Sequence, residues 1–329
     1  MAEWLVEEGI GEHRAILIDS GEIAAARIDW PGSLAAGQIE DAVLIARAAG
    51  SSRGTVRFAD GEEALIDGLP RDAREGAPIR AIVTRSAIGE KARRKLAQAK
   101  PTQGTPRPAP TLAMRLHDEG HAVRVVHRFA DAGWPDADWE ELFLQAWDGS
   151  IAFAGGALTV SPTPAMTLID VDGTLPPRAL AVEAATAAAL TIRRFDLGGS
   201  IGIDFPTLER KDERRAVDEA LAAALTRWPH ERTAMNGFGF VQLVARLERP
   251  SLLHRVAGDP AGAAARALLR RAERVAEPGA LRLSAHPRVL AKIPPEWRDM
   301  LARRSGREIR LHEAPQLAWE AASVQAVPL

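Results

Sequence analysis

Between Met166 and Phe205 two short apolar runs, MTLID and SIGIDF, flank a segment rich in alanine and leucine. Each run is β-branched, reaches an acidic residue (Asp170 and Asp204) and is closed by turn signals, which predicts two buried strands. The intervening PPRALAVEAATAAALTIRR opens with proline and is made of strong helix formers, which predicts a helix. Strand, helix and strand in that order form a right-handed crossover between parallel neighbours. Both carboxylates then fall at the carboxyl-end edge of one sheet, where α/β folds place their sites. With Asp172 as a third, they make a seat for a hard divalent cation such as Mg²⁺, with Mn²⁺ as a substitute. The plainer alternative is that each aspartate starts a turn, as Asp172-Gly173 readily does. That alternative serves one such residue better than a pair joined by a crossover.

The rest of the chain organises around this unit. RAILIDSGEIAAARIDW near the start predicts a β-hairpin about Asp19-Ser20-Gly21. Residues 38–98 hold short strands at regular spacing, the rhythm of a small β-barrel. Residues 99–112, AKPTQGTPRPAPTL, are Pro-rich and polar and read as a linker. Residues 113–160 resume an α/β layer, with AVRVVHRF as strand and WEELFLQAWDG as helix, and so group with residues 1–37 around the inserted barrel. Residues 161–255 carry the crossover unit, and 256–329 form a smaller α/β tail of two helices and two strands.

Composition narrows the function classes. A chain of 329 residues has room for two or three domains, and 46% apolar with 26% charged residues is ordinary for a globular protein. No apolar run approaches the ~18 residues of a membrane span. Glu3, Glu7 and Glu8 at the start are unlike a secretory signal. Together these predict a cytoplasmic protein with no membrane partner. The absence of cysteine excludes disulfides and zinc–thiolate sites. Net charge is −2, yet Lys91, Arg93, Arg94 and Lys95 form one basic cluster and Arg270, Arg271 and Arg274 another. Such patches bind phosphates even on a neutral protein, or serve as solvated helix faces. His117 and His121 share a helical spacing with His127 nearby, but their polar context favours a surface helix end over zinc. Gly198-Gly199 has no following P-loop lysine and reads as a tight turn.

Two family resemblances meet at the central unit. IDVDGTL resembles the first motif of haloacid-dehalogenase-type phosphatases, which would make Asp170 a nucleophile and Asp172 a general acid–base. That motif usually opens its domain, and the family's late acidic pair is absent here. A second resemblance covers more of the chain. LIDVDG and DLGGSIGIDF resemble the two metal motifs of the ribonuclease E/G family. Gly155-Gly156-Ala157-Leu158 resembles its Gly-Gly segment, FGFVQLVARLERPSL (238–252) its phenylalanine-glycine-leucine segment, and AIGEKARRKLA (87–97) the end of its S1 domain. All five blocks keep the family's order.

This second resemblance implies an α/β fold with ribonuclease-H-like and βαβ catalytic layers and an inserted S1-type (OB-fold) barrel. It implies an Mg²⁺-dependent endoribonuclease or RNA-binding protein acting on single-stranded RNA. Asp170 and Asp204 would hold the metal, with Asp172 standing where the family has Asn and able to join as a third ligand. Lys91 matches an RNA-contacting lysine. Arg93, Arg94 and Lys95 extend its charge, and Phe58, the one aromatic residue of the barrel, would contact a base. The family's Thr/Ser-Arg-x-Arg stretch appears as Val244-Ala245-Arg246-Leu247, and Gln242 replaces its glutamate, which leaves Arg246 and Arg249 as phosphate contacts. The family's 5′-phosphate sensor has no room in the 99–112 linker. A homo-oligomer remains compatible, formed without the family's cysteine-bound zinc link. A catalytically inactive, RNA-binding descendant is the alternative reading, and the phosphatase the third.

Overall fold

The computed structural model describes residues 3–89, 94–126 and 134–329. The chain opens with the antiparallel strands β1 (Glu3–Glu8), β2 (His13–Asp19) and β3 (Glu22–Asp29). The β2–β3 turn places Ser20 and Gly21 both at positive φ (55° and 87°), the two-residue geometry that matches strand twist. The strands β4 (Ile39–Arg47), β5 (Arg53–Arg57), β6 (Glu63–Asp67) and β7 (Pro78–Arg85) follow. Two short strands, β8 (Ile88–Gly89) and β9 (Arg94–Lys95), precede β10 (Ala97–Pro101). A closed barrel forms in the order β10-β6-β5-β4-β7, filled by Leu34, Leu44, Val56, Phe58, Ile66 and Val83. Its last strand reaches Pro101, so the barrel runs past the expected limit at 98 and takes the first residues of the expected linker. After α1 (Leu112–Asp118), capped by the Thr111 hydroxyl, β11 (Val123–Val126) returns to pair parallel with β1. The barrel is thus inserted into one sheet, ordered β11-β1-β2-β3.

The second half of the expected 113–160 layer goes elsewhere. Beyond α2 (Asp136–Asp148), β12 (Ser150–Phe153) and β13 (Gly156–Pro162) start a six-stranded sheet. It continues through β14 (Thr167–Gly173), α3 (Pro177–Arg194), β15 (Gly199–Asp204), α4 (Lys211–Ala224), β16 (Glu231–Arg232) and β17 (Phe240–Ala245). The strand order is β12-β13-β14-β15-β17-β16, with β14 and β15 parallel and all other neighbours antiparallel. A boundary at 160/161 therefore falls inside β13, which pairs with β14 along its whole length. The N-terminal sheet, α2, α3 and this sheet also share one apolar core, so they are not separately filled domains.

Alanines explain how α3 fits between the two sheets. Ala181, Ala184, Ala185, Ala188 and Ala189 are fully buried, and the helix contacts β3 as well as β12, β13 and β14. Side chains of one carbon let the backbone approach both layers at interior packing density. Gly156 and Gly173 are cross-strand partners, and a Cβ on Gly173 would lie 2.5 Å from Leu180 Cδ1. The missing side chains seat the first turn of α3 over the end of β14. The strands β14 and β15 were expected to be buried outright. In β14, Thr167, Ile169 and Val171 are buried under the helices, while Leu168, Asp170 and Asp172 are exposed. Helices cover one face only, so the strand alternates as half-buried strands do.

The tail begins with α5 (Leu252–Gly258) and α6 (Pro260–Ala272), followed by β18 (Ala280–Ala285), α7 (Pro287–Leu290), α8 (Pro295–Ser305), β19 (Ile309–Glu313) and β20 (Ser323–Val327). Its sheet, β19-β18-β20, gains a final strand beyond the two expected. Leu252, Leu253 and Val256 belong to the main core, so the expected boundary at 255/256 cuts α5. Charged seams tie the tail to the first sheet: Arg270 pairs with Glu12, and the Arg266 guanidinium lies 3.9 Å from the centre of the Trp30 ring. Burial lowers both guanidinium pKa values to about 10, so both stay charged near neutrality.

Candidate active site at the carboxyl ends of β14 and β15

Asp170 and Asp204 are direct register partners on the parallel strands β14 and β15. Adjacent strands put their backbones about 5 Å apart, so the two carboxylates meet at the sheet edge reached by both carboxyl ends. Both are exposed on the face that the helices leave open. Neither they nor Asp172 form an ion pair or side-chain hydrogen bond with another described residue. Two solvent-facing carboxylates without a basic partner suit a hard cation, and Mg²⁺ commonly takes one or two carboxylates and keeps water on its other positions. Asp172 sits two residues further along the same face, about 7 Å away in backbone terms, opposite Ala157. Among the described residues no group of three or more acidic or histidine side chains is gathered for a metal. The donor set that fits is therefore the pair.

The third strand, β17, walls the pair on the other side. Phe240 is the register partner of Asp204, and its ring occupies the space that a Cβ on Gly202 would need, 2.4 Å from Cζ. Gln242 donates to the Ser200 hydroxyl at 3.1 Å on the same face. Ahead of Phe240 the chain makes a tight turn. The Asn236 side-chain oxygen accepts from the Phe238 and Phe240 amides at 2.9 and 3.1 Å. Gly239 closes the turn at φ 92°, where a Cβ would lie 2.2 Å from the Phe205 carbonyl oxygen. The Phe205 amide donates to the Gly239 carbonyl at 3.1 Å, so the turn is fastened to the residue after Asp204.

Three side chains at this edge escape a reading by motif. Arg178 and Lys211, both exposed, stand in the first turns of α3 and α4, which follow β14 and β15. Those helix starts are neighbours: Arg210 holds the Asp212 carboxyl below its usual range, and the charge of Arg178 contributes. Phe238 is the third, at 84% exposure. Only the chain path from strand end to helix start reveals the two cations. Phe238 lay inside a matched motif whose apolar letters look like core.

Other expected contacts fall elsewhere. Phe58 directly follows β5 and is 3% exposed, packed into the barrel core, so it offers no ring to a base. Lys91 and Arg93 lie outside the described residues, as does His127. Arg94 is exposed but sits 3.6 Å from Glu62, on a cavity of about 380 Å³ also lined by Asp60 and Glu63. Lys95 is half-buried. Arg246 follows Ala245, which pairs with Gly199 at the start of β15. That is five residues from Asp204, or roughly 17 Å along the strand, and Arg246 pairs with Glu248 at 2.9 Å. Arg249 is turned to a structural partner: it grips Asp196 through two hydrogen bonds of 2.6 and 3.1 Å. Burial opposes its charge, but Asp196, Asp29 and Glu119 outweigh that and raise its pKa. His121 lies 3.6 Å from Glu119 and against the Trp4 ring, in no metal-binding group.

Comparison with known proteins bears on this region directly. A sequence model of the ribonuclease E/G family matches residues 140–246, which run from α2 to the end of β17. Ribonuclease G of Escherichia coli (strain K12) is 33% identical over 115 residues, a stretch covering 31% of this chain and 23% of that protein. Ribonuclease G of Salmonella typhimurium (strain SL1344) matches with the same identity and coverage. The chain thus spans under a quarter of the length of these relatives. The comparisons lend no support to the phosphatase reading of Asp170 and Asp172. Over residues 140–246, the segment that builds the acidic edge, this chain matches the ribonuclease E/G family.

Proposed function

We propose that the chain is a metal-dependent endoribonuclease that cuts single-stranded RNA at the Asp170–Asp204 edge. The observation that carries this reading is the direct register of the two aspartates within the family segment. Bound between them, Mg²⁺, or Mn²⁺ in its place, would supply Lewis acidity and an activated water at the scissile phosphate, yielding a 5′ phosphate and a 3′ hydroxyl. Asp170 and Asp204 would hold and orient that ion from two neighbouring strands. Arg178 and Lys211 meet phosphate oxygens of the entering strand and offset the acidity of the edge. Asp172, outside the pair, orients water on the same face. Phe240 shields one flank of the edge from solvent. The closed barrel serves as the S1-type unit, and Arg94 and Lys95 carry the basic run just before its last strand, β10. The ribonuclease-H-like role falls to the sheet β11-β1-β2-β3. Among the described residues no helix is long and apolar enough to cross a membrane, and we place the work on cytoplasmic RNA.

Binding without turnover is a second reading. It is favoured by Gln242, which spends its amide on Ser200 where the family carries a glutamate. Incubating the pure protein with labelled single-stranded RNA, in Mg²⁺ and in EDTA, separates the two. Cleavage that EDTA stops supports the first, and a stable complex with intact RNA the second.

A further inference from the structure

Phe238 is the only phenylalanine or tryptophan among the described residues that stands exposed, at 84%. Its turn does not need an aromatic ring. Gly237 and Gly239 flank it, Asn236 pins the backbone on both sides, and the ring takes no part in any core cluster. The turn instead fixes the backbone that carries the ring: a glycine at φ 92° pressed on the Phe205 carbonyl, and the Phe205 amide bonded back to Gly239. Phe205 follows Asp204 directly, so the ring is carried at the edge where the two carboxylates meet.

We propose that Phe238 is a stacking platform for the nucleobase beside the scissile phosphate at the Asp170–Asp204 edge. The inference rests on the reading that this edge receives RNA. A ring on a hydrogen-bonded turn leaves only its two side-chain torsions to be ordered on binding, a small entropic cost, and a flat, uncharged base suits a ring beside two carboxylates better than an acidic ligand does. Stacking of this kind tolerates every base, because each has a π-face. It demands an unpaired strand, because a base within a duplex has both faces covered. Phe238 thereby selects single-stranded substrate without selecting sequence, while Arg178 and Lys211 take the backbone charge.

The test uses a fluorescent ten-nucleotide single-stranded RNA, with Ca²⁺ replacing Mg²⁺ to hold off cleavage. The proteins are the parent, Phe238→Ala, Phe238→Trp and Lys211→Ala. Phe238→Ala should bind tenfold or more weakly with an unchanged slope of log affinity against log salt, because stacking releases no counterions. Phe238→Trp should keep parental affinity. Lys211→Ala should lower the salt slope by about one unit. A 2-aminopurine walked along the RNA should be quenched at one position by the parent and not by Phe238→Ala. A parent that binds RNA no better than Phe238→Ala overturns the stacking proposal alone. A parent that binds no RNA overturns both it and the reading beneath it. Loss of self-association in Phe238→Ala, with RNA affinity intact, would assign the ring to a protein interface and also overturn it.

Discussion

At the residue scale, the acidic pair and its neighbour Asp172 separate by geometry. Asp170 and Asp204 are register partners, whereas Asp172 stands beyond the last residue of β15. Asp170→Asn should therefore abolish metal-dependent cleavage, and Asp172→Asn should keep it within about tenfold, ~1.4 kcal/mol. Equal losses in the two variants, read from initial rates on labelled RNA, would show three equivalent ligands instead. Metal linkage gives a second check. A ligand at 100 times its Kd stabilises the folded state by about 2.7 kcal/mol. Saturating Mn²⁺ should thus raise the parent's melting temperature and leave that of Asp170→Asn unmoved. The juxtaposition of the pair was legible in the sequence because two apolar runs joined by a helix bring both strand ends to one edge. The burial of Phe58 was not, because a lone aromatic just past a barrel strand reads the same whether it faces in or out.

Elements show where local pattern stops being enough. The unit β14–α3–β15 was readable from apolar runs and a Pro-led helix, and it formed at those positions. The antiparallel partners β13 and β17 were not readable, since nothing local says which strand pairs with which. The pairing of Arg249 was hidden for the same reason: its carboxylate partner Asp196 lies 53 residues earlier. Arg249→Ala should cost about 1.5–3 kcal/mol, as loss of a charged hydrogen-bonded partner does, with the salt slope of RNA binding unchanged. A flattened slope would return Arg249 to the phosphate contacts. The alanine face of α3 is equally exacting. Ala185 is fully buried between two sheets, and Ala185→Leu should destabilise by about 1–3 kcal/mol through overpacking. Chemical denaturation decides that, and a neutral result would mean the layers are looser than they stand here.

For the molecule as a whole, the barrel is docked and not merely tethered. The Ser86 amide donates to the Glu248 carbonyl at 3.3 Å, and Gly89 packs against Gly258 so closely that a Cβ there would sit 3.1 Å from its Cα. The segment after β10 runs from Thr102 to Thr111 before α1 begins, too short for a further folded unit. Cleavage should accordingly be indifferent to a monophosphate, triphosphate or hydroxyl at the RNA 5′ end, and a tenfold preference for monophosphate would reveal a sensor built from other parts. The central claim is that one acidic edge performs the chemistry, and cutting of labelled single-stranded RNA by the parent and by Asp204→Asn tests it most directly. The parent in Mg²⁺ should cleave and stop on addition of EDTA, while Asp204→Asn, folded to the same melting temperature, should leave the RNA whole. Cleavage by Asp204→Asn at the parental rate would place the chemistry elsewhere in the molecule.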